Sequence, residues 1–292
     1  MAGSDRKKPL RGYMLAGAAA LGLALSPAPT GVSAAGANYS KLSAAYKVRF
    51  AGLPLGTFEI WTNLSRSSYS MLGRGDFTFL LSVLFELKGT TQSSGLITPA
   101  GLNPSAFSFN FKTKKQKGWL DMKFAGGKVT NVSSEPVLTV NENSIPVTDK
   151  DMTGVLDPLS ALFMTTRSKS DEVDGSVCRQ RIPVYDGKYR FDLVLSHKQT
   201  VRVVKEGNSG YEGPAVVCRV KYVPVSGHRP GNSTVEFMAQ TDDIEIWLIP
   251  LRHERMYAPY HLVMPTPYGE ATATSSALHM ELEGQQKASL VH

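Results

Sequence analysis

Alternation with a period of two runs through most of the chain. Phe107, Phe109 and Phe111 are separated by Ser108 and Asn110, and Leu120, Met122 and Phe124 by Asp121 and Lys123. That spacing places one set of side chains on one face of a strand. The polar stretch 112–118 between them predicts a turn, and Gly126-Gly127 predicts a tight turn into a further strand through Val129 and Val132. The same construction recurs earlier, where Tyr46, Val48 and Phe50 lead through a Gly-Leu-Pro-Leu-Gly turn (52–56) to Phe58, Ile60 and Thr62. It recurs later in 182–185, Asp186-Gly187, and Tyr189, Phe191, Leu193 and Leu195. Strands are also expected over 201–204, 215–223 and 234–239, then through Ile244, Ile246 and Leu248, and over 257–264 before the corner at 265–269.

Two stretches break the pattern. Residues 77–87 (FTFLLSVLFEL) are apolar on nearly every side, which fits a buried helix or an unusually apolar strand; helix is preferred. Residues 157–167 (DPLSALFMTTR) read as a helix with Asp157 as N-cap, Pro158 at the first helical position and Arg167 in the last turn. The expected fold is therefore all-β with two short helices, a single long antiparallel meander curled into a spiral or open barrel so as to hide its edges.

Composition narrows the picture. With 42% hydrophobic and 20% charged residues the chain can bury a large core, and no linker demands a second domain. The basic balance, +7, is partly local. Arg6, Lys7, Lys8 and Arg11 precede an uncharged run over 13–25, followed by Ser26, Pro27, Pro29 and Gly31, the order of an export signal. At 1.5 Å per residue that run covers roughly 20 Å, short of a membrane core. Small residues at Val32-Ser33-Ala34 suit a cleavage site, so residues 1–34 are expected to be a signal peptide and 35–292 a single curled-sheet domain in the periplasm. Without residues 1–34 the chain keeps 28 basic and 24 acidic side chains, a net +4, which removes the main compositional support for a nucleic-acid partner.

An oxidising compartment bears on the two cysteines. Cys178 and Cys218 are expected to form a disulfide, with Cys218 facing inward in the alternating set Val216, Cys218, Val220 and Tyr222. Their Cα atoms must then lie within about 7 Å of each other.

Candidate chemistry is sparse. Residues 206–210 (EGNSG) have the outline of a serine-protease nucleophile turn, but Asn-Ser-Gly between strands is what a hairpin loop requires, and Ser209 is read as a loop residue. None of the six histidines forms a metal-binding pair, and no metal or cofactor is expected; His253 with Glu254 and His261 is the one grouping to check in space. Asp171, Glu172 and Asp174 read as a solvated loop. Lys112, Lys114, Lys115 and Lys117 read as a solvated hairpin tip, with contact to anionic lipid head groups or a carboxylate-bearing partner as the functional alternative.

Four pieces taken in order, DPLSALFMTTR, VYDGKYRFDLVLS after Cys178, YEGPAVVCRVKYVPVSGHRP and EIWLIPLRHERMYAPYHLVMPTPYGEA, resemble an exported proteobacterial family catalogued as a domain of unknown function (DUF3108). The likeness spans roughly residues 40 to 280. It implies a β-rich periplasmic protein and carries no catalytic residue across. A looser likeness, of architecture alone, is to the half-barrels of lipoprotein carriers.

These readings lead to a non-enzymatic envelope protein that binds a lipid, an acyl chain or an envelope protein partner in a curved-sheet groove. The residues expected to line it are Phe77, Phe79, Leu80, Phe85, Phe107, Phe109, Phe111, Leu120, Met122 and Phe124. The alternative is a hydrolase of an envelope polymer, which needs two carboxylates roughly 5 to 10 Å apart in one cavity. An outer-membrane barrel is not expected, for want of aromatic girdles.

Overall fold

A computed structural model describes residues 40–79, 85–139, 141–166, 173–205, 210–251 and 255–282. The signal-peptide expectation for residues 1–34 falls outside them. The described residues belong to one compact unit, Ala37–His292. In chain order the strands are β1 (Ser40–Phe50), β2 (Leu53–Leu64), β3 (Ser68–Phe79), β4 (Phe85–Thr98), β5 (Gly101–Thr113), β6 (Lys117–Ala125), β7 (Lys128–Glu135), β8 (Met164–Thr165), β9 (Arg181–Tyr185), β10 (Arg190–Val203), β11 (Gly213–Ser226), β12 (Glu245–Leu251), β13 (Met256–Thr266) and β14 (Gly269–Leu282), with one helix, α1 (Ser233–Gln240), before β12. They form a single 14-stranded antiparallel sheet ordered β7-β6-β5-β4-β3-β2-β1-β14-β13-β12-β11-β10-β9, with β8 beside β13. The first and last strands thus meet in the middle, and the sheet is an open curved meander. Among the described residues no helix is long and apolar enough to cross a membrane.

Register shows how alternation builds the core. One row of paired positions runs Met280, Leu42, Thr62, Met71, Ser93, Phe107, Met122 across seven strands. Every member is buried. Because side chains two apart share a face, this row fixes the inner face of the whole β14-to-β6 half. Against it pack Val155, Leu159 and Phe163 from the long β7–β9 connection, together with Tyr185, Val203, Ala215, Ile249 and Ala258. A second cluster gathers Cys178, Ile182, Val184, Val216, Cys218, Val220, Ile246 and Leu248. Hence β11 is buried on both faces: Ala215 joins the first cluster, Val216 and Cys218 the second. Alternation alone foresees one such face.

The sheet's two ends, β7 and β9, do not pair with each other. Residues 152–156 lie between them. On one side Val129 N donates to Met152 O (2.9 Å) and Gly154 N to Gly127 O (2.7 Å); on the other Leu156 N donates to Pro183 O (2.8 Å) and Tyr185 N to Leu156 O (3.0 Å). Short bridges Lys128–Thr153 and Leu156–Val184 mark the same contact.

Both expected helices are corrected. In 77–87 the described ends are strand, with Phe77 opposite Leu87 and Phe79 opposite Phe85. Apolar residues all round suit a strand whose neighbours cover it as well as they suit a helix. In 157–167 there is a single 3-10 turn, Ser160–Leu162, followed by strand β8; Arg167 lies outside the described residues. Conversely, the strand expected over 234–239 is α1. Asn232 caps it by accepting a hydrogen bond from Val235 N (3.1 Å), a stronger local signal than the weak alternation in STVEFMAQ. Strands expected separately over 189–195 and 201–204 are one strand, β10, kinked where its register shifts between His197 and Gln199.

The cysteines pair as expected. Cys178 and Cys218 form a disulfide with Cα atoms 5.4 Å apart, both fully buried, tying the turn Gly175–Cys178 to β11.

Candidate functional site

Moving along the strands from the buried row toward the β3–β4 connection, the inner face changes character. The next row reads Ile60, Gly73, Thr91, Phe109, Leu120, and the one after it Phe58, Gly75, Gly89, Phe111, Gly118; beyond that come Phe77 and Leu87. Successive rows are about 7 Å apart. Phe58, Phe77, Leu87, Phe109, Phe111 and Leu120 are all half-buried, whereas Phe107 and Met122 one row inward are closed off. The result is a shelf of aromatic rings on top of a filled core.

Glycine makes the shelf flat. A Cβ on Gly73 would stand 2.7 Å from both Phe58 Cζ and Thr91 Cγ2, and one on Gly75 would stand 2.5 Å from Phe77 Cε2. The ring of Phe111 covers Gly118 in the same way, at 2.7 Å. Rings therefore lie down over bare backbone instead of standing among side chains. Phe109 and Phe111 stack, with centroids 5.7 Å apart and planes 20° from parallel. We expect Gly73→Val to push Phe58 off this position and cost about 1 to 3 kcal/mol by overpacking, read from urea denaturation and the near-ultraviolet circular dichroism of the aromatic rings. Unchanged stability and spectrum would contradict the ring-on-glycine geometry.

Below the shelf the core is locked by a buried polar knot. Asp157 caps its turn, as expected from the sequence, with Leu159 N and Ser160 N donating to Oδ1 (3.0 and 2.9 Å). Its Oδ2 accepts from Ser160 Oγ (2.7 Å) and from Ser93 Oγ (2.8 Å) of β4. Tyr69 of β3 shares a further hydrogen bond with Ser160 Oγ (2.9 Å). Burial pushes the Asp157 carboxyl above the usual carboxylate range, against the opposing pull of the Ser160, Ser93 and Leu159 hydrogen bonds. The Tyr69 hydroxyl is raised to about 12, chiefly by burial. This knot pins the β7–β9 connection across the sheet.

The expected groove residues divide accordingly. Phe77, Phe109, Phe111 and Leu120 lie on the shelf. Phe107, Met122 and Phe124 belong to the core cluster, filled by the chain's own side chains, so the groove expected from them is corrected. Phe79 and Phe85 face each other as a backbone pair, and Leu80 lies outside the described residues. Sequence reasoning missed Phe58 and Leu87 on the shelf; Phe58 stands in an alternating run, but only its register opposite Gly75 places it there.

The other candidates are taken up elsewhere. Ser209, His253 and Glu254 lie outside the described residues. His261 has Nδ1 2.8 Å from Thr274 Oγ1, its ring is edge-on to Trp247 at 5.3 Å, and burial holds its pKa below the ordinary value. Among the described residues two acids are buried, Asp157 in its knot and Asp192 between Arg181 and Arg190. No group of three His, Cys, Asp or Glu side chains among the described residues could hold a metal ion. A polar cavity of about 560 Å³ lies beside the start of α1, lined by Glu142, Ser144, Lys188, Tyr189, Arg229 and Asn232 among others.

Comparison with known proteins gives one family and a structural likeness. The family described as a protein of unknown function (DUF3108) matches residues 45–275. Among solved structures, the crystal structure of a beta-barrel-like protein of domain of unknown function DUF1849 from Brucella abortus is similar, with 11% identity and a TM-score of 0.47, the match covering 84% of this chain and 98% of that one. No curated protein matches. Matched by this family model over residues 45–275, most of its length, the chain belongs to the DUF3108 family.

Proposed function

We propose that this is an exported, non-enzymatic envelope protein that holds an apolar ligand, an acyl chain of a lipid, on the aromatic shelf. The observation that carries the reading is the half-buried set Phe58, Phe77, Leu87, Phe109, Phe111 and Leu120, contiguous on one face. Contiguous apolar surface of this kind is costly to leave against water and is the usual mark of a binding surface. Export to the periplasm is supported by the charged, apolar and small-residue order of residues 1–34 and by the buried disulfide. A non-enzymatic role is supported by the commitment of both buried acids to structural partners.

Protein purified from the periplasm should carry a lipid in native mass spectrometry, and a fatty acid should displace a fluorescent apolar dye from it. Phe109→Ser with Phe111→Ser should weaken that binding about tenfold or more, since each ring contributes roughly 1.5 to 3 kcal/mol when covered. If no lipid co-purifies and no dye is displaced, the shelf is not a ligand site and the role passes to the outer surface.

A further inference from the structure

In an antiparallel meander alternate turns fall on the same edge of the sheet. The row Gly56, Phe77, Leu87, Thr113 sets the β5–β6 turn level with the ends of β2, β3 and β4, and the pairings Phe50–Leu53, Phe50–Ala271 and Thr266–Gly269 bring the β1–β2 and β13–β14 turns to that edge too. The aromatic shelf opens toward this edge. Its tips combine two kinds of side chain. Tyr268, 81% exposed, and Leu53, 44% exposed, stand on adjacent hairpins. Lys112, Lys114, Lys115 and Lys117 crowd the third, all exposed and without an acidic partner among the described residues.

Local bonding holds these tips in place. Thr113 Oγ1 accepts from Lys115 N (3.2 Å) and Gln116 N (3.0 Å), and Thr266 Oγ1 donates to Gly269 O (2.7 Å) while accepting from Tyr268 N (3.2 Å). Fixed turns present their side chains with little ordering cost on binding. Of the acids near this edge, Asp76 and Glu86 lie 3.1 and 3.8 Å from Lys88, and the other two, Glu135 and Glu270, are outnumbered by the four lysines, so the excess is positive.

We propose that this rim docks on an anionic phospholipid surface, with the lysines at the head groups and Tyr268 and Leu53 entering the interface. Charge complementarity selects this occupant: clustered lysines beside exposed apolar tips match negatively charged head groups above an acyl layer. The inference goes beyond ligand binding on the shelf and stands without it, because docking is read on vesicles and shelf occupancy by dye displacement.

The test is co-sedimentation of the full chain with vesicles of phosphatidylglycerol mixed equally with phosphatidylcholine, against phosphatidylcholine alone. Binding should require phosphatidylglycerol and fall as salt rises. Near the surface each lysine is worth about fivefold, so Lys114→Gln with Lys115→Gln should lower partitioning about twentyfold to thirtyfold. Leu53→Ser with Tyr268→Ser should lower it about tenfold, and the loss should persist at high salt. Arg66→Gln and Lys123→Gln, away from this rim, should bind as the parent does. All variants share the N-terminal segment, so the differences isolate the rim. No binding, equal binding to both vesicles, or rim variants that bind as the parent does would overturn the proposal.

Discussion

Asp157→Ala should destabilise the protein by about 2 to 4 kcal/mol, because it strands the Leu159 and Ser160 N–H groups in a fully buried site. The hydroxyls of Ser93, Ser160 and Tyr69 can still bond to one another, which keeps the cost from rising further. Asp157→Asn should cost about 1 kcal/mol or less, since its carbonyl oxygen still accepts both N–H groups and its amide donates to hydroxyl oxygens. The pair of variants also separates charge from hydrogen bonding. Burial raises the folded-state pKa of Asp157, so its contribution is fully present below the unfolded carboxylate range and is lost as pH rises through the raised folded value. Asp151, Asp174 and Asp242 are lowered by hydrogen bonds to Thr148, Ser176 and Lys221 and act in the opposite sense, losing stability as pH falls. Urea unfolding of parent and Asp157→Asn at a series of pH values subtracts those common terms. A parent-over-variant difference that does not widen as pH is lowered toward the ordinary carboxylate range would show that Asp157 is not penalised by burial.

The second large effect is the disulfide. Replacing both Cys178 and Cys218 with alanine should lower stability by about 4 kcal/mol in the chain-entropy model for a 40-residue separation. For a domain of this size that is roughly 10 °C in Tm. Reductant should bring the parent to the same level and leave the double variant unmoved. Equal melting of all three samples would mean that the turn Gly175–Cys178 is held on β11 by packing alone.

These residues also show how far the sequence can be read. Strands with one wet face were legible from alternation: Phe107 to Phe111 and Leu120 to Phe124 lie where expected, on β5 and β6. What could not be read is how deep a given row sits. Phe107 and Phe111 have the same residue type and the same periodicity, yet one is closed under the β7–β9 connection and the other lies half open on the shelf. That difference comes from residues 155–163, which arrive from far along the chain. The Asp157 knot was legible only as a cap, because Ser93 and Tyr69 reach it from 64 and 88 positions away. Helix α1 was missed because alternation outweighed a short cap, and 77–87 was misread because apolar content without periodicity does not distinguish helix from strand.

Residues 152–156 give the sheet a property that its strand count does not. A bare strand edge is a template for another molecule, and an open sheet has two. Here one short stretch occupies parts of both, bonding to β7 through residue 152, to the turn before it through residue 154, and to β9 through residue 156. Its detachment would uncover two complementary ladders together, one at each end of the same molecule. Local opening at Gly154 therefore exposes both sheet edges while the rest of the fold stays paired.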